Sequence, residues 1–78
     1  MASLQSKYSQ IYLDLAIRLR QAREEAGLTQ TQAATSLGKP QSFVSKCEIG
    51  QRRIDFIELK AFASLYGKDL NFFDVHSQ

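Results

Sequence analysis

Gln41, Ser42, Ser45 and Lys46 fall within the segment QSFVSKCEI, residues 41–49. If that segment is helical, Val44 and Cys47, three apart, claim the inner face and the four polar side chains share the opposite surface. Their chemistry is hydrogen bonding rather than bond breaking. Glutamine pairs a donor and an acceptor as adenine does, lysine donates to guanine acceptors, and a serine hydroxyl suits several base edges. The same residues also suit any solvated helix, because exposed polar side chains are the default. Charge adds a second signal. Between Lys39 and Arg53 stand Lys39, Lys46, Arg52 and Arg53 against Glu48 alone, a balance of +3 within a net charge of only +2. From Asp55 onward the balance reverses to −2, with Asp55, Glu58, Asp69 and Asp74 against Lys60 and Lys68.

Other chemistries find little support. Cys47 is the single cysteine, so an internal disulfide and a cysteine-rich metal site are both excluded, and a buried structural thiol is expected. The single histidine, His76, lies in the polar tail with no second ligand near it. No nucleophile sits in a base-assisted motif, and Asp55 and Glu58 are better explained as helix caps. Neither a phosphate-loop nor a dinucleotide glycine pattern is present. An enzyme is therefore not expected, nor a metal, a cofactor or a small-molecule effector. The 78 residues make one domain, 1–78, whose stability should be on the order of 4–12 kcal/mol. The N-terminal MASLQSKYSQ lacks a signal-peptide pattern and no window approaches a membrane span, so the chain reads as cytoplasmic without membrane contact.

The elements that must position these residues are all helical. Tyr8, Ile11, Tyr12, Leu15, Leu19, Ala22 and Ala26 recur at helical spacing, which predicts a long first helix from about Ser6 or Tyr8 to Ala26, stopped by Gly27. Thr29 with Gln32 forms a capping-box pattern for a second helix, which has Ala33, Ala34 and Leu37 inside and ends at Gly38. Lys39-Pro40 forces a turn. A third helix runs from Pro40 or Gln41 to Ile49, closed by Gly50. Asp55 with Glu58 caps a fourth, whose buried stripe is Ile57 or Leu59, Phe62, Ala63 and Tyr66 before Gly67. Asp69 can cap a last turn, Leu70 to Phe73. Five helices and no strand are expected.

Two short helices around a tight turn match the helix-turn-helix, whose second helix enters the DNA major groove. From Leu19 to Phe73 the chain resembles the Cro/repressor-type (Xre-like) helix-turn-helix family. The residues that carry the resemblance are LRQAREEAGLTQTQAATSLG, SFVSKCEIG, ELKAFASLYG and LNFF. Within them the most telling are Arg23, Gly27-Leu28-Thr29-Gln30, Leu37-Gly38, Ser45-Lys46 and Glu48 with Gly50. The resemblance implies an all-α, compact five-helix lambda-repressor-like DNA-binding domain with an extended first helix. The helix-turn-helix falls at about 29–50, residues 1–13 extend the first helix, and 74–78 form a short tail. It also implies that Gln30 holds a DNA phosphate, and that Gln41, Ser42, Ser45 and Lys46 read bases or adjacent phosphates. Arg52 and Arg53 would clamp the backbone, and Arg23 and Glu48 would pair beneath the motif. Lys39, Pro40, Phe43, Ile49 and Ile54 depart from the family pattern. Phe43 is expected to pack on the second helix rather than touch a thymine methyl.

One recognition helix reads only a few base pairs, too few for useful specificity against a genome. Dimers solve this by placing two such helices about 34 Å apart. A homodimer on double-stranded DNA is thus expected, with Leu70, Phe72, Phe73, Val75 and nearby Tyr66 as its interface. Tyr8 and Tyr12, before the family's usual first-helix start, either complete the core or join an interface. The main reading is a transcriptional regulator. The alternative keeps the fold but makes it a protein-interaction module, an antitoxin or partner-dependent adaptor.

Overall fold

The computed structural model describes residues 2–75, with side chains from Gln10 onward; His76 and the side chain of Tyr8 lie outside that range. Four α-helices follow one another: α1, Ala2–Glu25; α2, Gln30–Leu37; α3, Gln41–Glu48; and α4, Phe56–Tyr66. A 3-10 helix, Leu70–Phe73, completes the chain, and no strand occurs among the described residues. The fifth helix is thus corrected to a 3-10 turn. It spans four residues, Asp69 makes no side-chain cap bond to it, and Phe72 and Asp74 donate three residues back, to the carbonyls of Asp69 and Asn71.

At about 1.5 Å per residue, the 24 residues of α1 measure about 36 Å, close to the molecule's 38 Å longest dimension. Because the other extents are 24 and 20 Å, α1 must run along the long axis. Its helical backbone begins at Ala2 rather than at Ser6 or Tyr8, since no proline or glycine interrupts the sequence before Gly27. No described helix is long and apolar enough to cross a membrane.

The joints are short. Thr29 caps α2 through the backbone N–H of Gln32, whose side chain accepts from the Thr29 N–H, and Asp55 and Glu58 repeat the arrangement at α4. Only Gly38, Lys39 and Pro40 separate α2 from α3. Gly38 takes the left-handed conformation, φ 68°, so that Lys39 N–H can donate back to Ala34 O at 2.9 Å. Pro40 then stands at the N-cap of α3, where its missing N–H costs no helical bond.

Every element contributes to one core. Leu19 and Ala22 come from α1, Ala33 and Ala34 from α2, Phe43, Val44 and Cys47 from α3, Phe62, Ala63 and Tyr66 from α4, and Phe73 from the 3-10 helix. Phe43 and Phe62 stack with centroids 5.9 Å apart and planes within 5°. The α1 stripe differs from expectation at two places: Ala16 is buried and Ala26 is exposed. On α4, Leu59 rather than Ile57 packs against the core, and Ile57 is 71% exposed. The expected dimer residues Tyr66 and Phe73 are core residues, only 5% and 4% exposed, and so present almost nothing to a second protomer. Arg18 ties the 3-10 helix to α1, donating to Phe72 O at 2.9 Å with its guanidinium over the Phe72 ring.

Candidate nucleic-acid interface

The sequence of α3 divides it lengthwise. Phe43, Val44, Cys47 and Glu48 are buried, whereas Gln41, Ser42 and Lys46 are exposed and Ser45 is half-buried. The buried side fixes the helix; the polar side is left free. Burial pushes the Cys47 thiol up to about 11, so it stays a protonated core group. Phe43 is buried, but its ring stacks on Phe62 of α4 rather than on the second helix, with the Lys39 ammonium 5.2 Å and the Arg52 guanidinium 4.6 Å from its centroid.

Beneath this helix lies an ion pair. Arg23 Nε donates to Glu48 Oε2 at 2.7 Å and Nη2 to Oε1 at 3.0 Å, and both residues are buried. The third nitrogen, Nη1, donates to Leu28 O at 2.9 Å, tying α1 also to the loop before α2. These hydrogen bonds to Glu48 hold the guanidinium above its ordinary pKa, against the pull of burial.

The pair also reaches the surface. Gln30 Nε2 donates to Glu48 Oε1 at 3.0 Å, and Gln41 Nε2 donates to Gln30 Oε1 at 2.6 Å. A carboxylate can only accept, so it turns the Gln30 amide nitrogen inward and the Gln30 oxygen toward α3. That oxygen in turn takes one N–H of Gln41. Gln41 keeps its carbonyl and its second N–H for other partners. Gln30, expected only as a phosphate holder, is therefore also the link between the ion pair and the first residue of α3.

Arg52 and Arg53, expected to act alike, are held differently. Arg52 donates to both Glu58 oxygens, at 2.8 and 3.0 Å, and to Arg53 O at 2.6 Å. The hydrogen bonds from Arg52 hold the Glu58 carboxyl below the usual carboxylate range. With Phe43 beneath it as well, Arg52 also holds the α3–α4 loop. Arg53 is exposed, and its guanidinium lies 5.8 Å from the Tyr12 ring centroid. Sequence reading missed Glu58 as the partner of Arg52 because its place in a capping box already accounted for it.

Gln30, Gln41, Ser42, Lys46 and Arg53 can thus offer amides, a hydroxyl and two cations to a polyanion. A family model described as a helix-turn-helix domain matches residues 14–71, which take in all of α2, α3 and α4 and the second half of α1. No curated protein matches the chain.

Proposed function

The chain belongs to the helix-turn-helix domain family, and from that premise we propose that it is a sequence-specific, double-stranded DNA-binding transcriptional regulator. It acts as a homodimer on an inverted-repeat operator, with α3 in the major groove. The observation that carries this reading is the lengthwise division of α3 together with the hydrogen-bonded chain that fixes Gln41. A groove about 12 Å wide accepts one helix, and a reading helix must be rigid on one side and polar on the other. Gln41, Ser42, Ser45 and Lys46 read bases or neighbouring phosphates. Gln30 and Arg53 grip the backbone, and Arg52 holds the loop that carries Arg53. The homodimer surface reduces to Leu70, Phe72 and Val75, which retain exposed area where Tyr66 and Phe73 do not.

The test is selection of duplexes from a random pool, followed by titration at several salt concentrations and the mass of the complex. Two protomers on an inverted repeat, with affinity falling steeply as salt rises, is the expected result. Lys46→Ala or Gln41→Ala should cost about 1–3 kcal/mol on the selected sequence and far less on scrambled DNA. Arg53→Ala should weaken all sequences alike and lower the salt slope by about 1. Equal losses on both duplexes for Lys46→Ala would remove it from the base readers.

A second reading, a protein-interaction module such as an antitoxin or adaptor, draws on the exposed Phe56 and Ile57 at the start of α4. Failure to bind any duplex at low salt, with a partner chain that copurifies, would favour it.

A further inference from the structure

The family match begins at residue 14, yet α1 begins at Ala2, so the first half of this helix lies outside the matched domain. Its last two residues before the match, Tyr12 and Leu13, both meet the loop that follows α3. Leu13 covers Gly50. A Cβ built on Gly50 would stand 2.8 Å from Leu13 Cδ2, so the α1 side chain lies directly against the left-handed turn that ends α3. Tyr12 faces the other end of the same turn, its half-buried ring under the guanidinium of Arg53.

Arg53 differs from its neighbour in what holds it. Arg52 is fixed by Glu58 and Phe43. Arg53 is exposed, and its backbone carbonyl is tied up by Arg52. Its side chain would otherwise sample many rotamers, and each one immobilised on binding carries an entropic cost. An aromatic face restricts that sampling while leaving the N–H groups at the guanidinium edge free to donate.

We propose that the N-terminal extension of α1 braces the α3–α4 loop, with Tyr12 a positioning residue that presents Arg53 to a DNA phosphate. The inference rests on the DNA-binding reading above and deepens it. A brace of this kind acts on affinity for every duplex and not on the choice among sequences, because Arg53 grips the backbone. The ring face matters, and the phenolic hydroxyl does not.

The experiment compares the full chain with Tyr12→Leu, Tyr12→Phe, Arg53→Ala and the double variant Tyr12→Leu/Arg53→Ala. One readout is the proton shift of the Arg53 side chain in the free protein. The other is affinity for selected and scrambled duplexes. In wild type the ring should displace the Arg53 resonances upfield, Tyr12→Phe should keep that displacement, and Tyr12→Leu should abolish it. Tyr12→Leu should weaken both duplexes alike, by about two- to five-fold. Tyr12→Phe should restore wild-type affinity, and adding Tyr12→Leu to Arg53→Ala should cost nothing more. Wild-type affinity or an unchanged Arg53 shift in Tyr12→Leu would overturn the brace alone, as would full additivity with Arg53→Ala. A wild-type chain that binds no duplex would overturn the DNA-binding reading and the brace together.

Discussion

Truncating Arg23 to alanine strips Glu48, a residue only 8% exposed, of its bidentate partner. Such a loss should cost about 3–5 kcal/mol, a large share of what a chain this short possesses. Urea denaturation should show a lower midpoint with an unchanged slope. The Tyr66 hydroxyl presents the opposite case. It is buried without a hydrogen-bond partner among the described residues, and burial raises its pKa. Tyr66→Phe should therefore leave stability unchanged or raise it by about 1 kcal/mol, and a loss in the same denaturation measurement would reveal a partner for the hydroxyl. The two cases differ in how readable they were. Arg23 and Glu48 stood in a recognisable motif, whereas the Arg52–Glu58 pair spans a loop and carries no periodicity. The left-over Tyr66 hydroxyl depends on which atoms surround it, and spacing along a chain does not encode that.

Among the elements, α3 and its flanking turns show how space and conformation add. Gly38 and Gly50 both adopt left-handed backbone, φ 68° and 76°. A Cβ at Gly38 meets nothing within 4 Å, whereas at Gly50 it collides with Leu13. Gly38→Ala should thus cost about 1–2 kcal/mol from conformation alone. Gly50→Ala should cost only slightly more, because the Leu13 methyl it meets ends an exposed side chain that can move aside. The gap should close in a Leu13→Ala background, as measured by thermal unfolding of the four proteins. Both capping boxes and the glycine stops were legible because caps are local chemistry, settled within four residues. The start of α1 was not. Its first turn has no acidic residue to mark it, and the apolar stripe used to place it begins later than the helix does. The terminal turn was misread for a related reason: four residues are too few for a 3.6-residue period to distinguish an α-helix from a 3-10 helix.

For the whole molecule, the proposed homodimer requires apolar side chains that lie outside the core. Leu70 is 36% exposed and can change without entering the core. Leu70→Glu should keep the fold yet sediment as a monomer, and it should bind an inverted repeat more weakly than wild type. A variant that stays dimeric would place the interface elsewhere. Sequence alone crowded Leu70, Phe72, Phe73 and Val75 into one candidate surface, because all are apolar and only packing separates Phe73 from the rest. The shortness of the joints has a consequence in time. With α2 and α3 only three residues apart, and every other joint also brief, helices find their neighbours with little loop entropy to overcome. Helical domains of this layout fold in about microseconds to milliseconds. If the proposed DNA-binding role holds, a molecule that opens between encounters with duplex refolds within that time, so folding places little delay on its return to DNA.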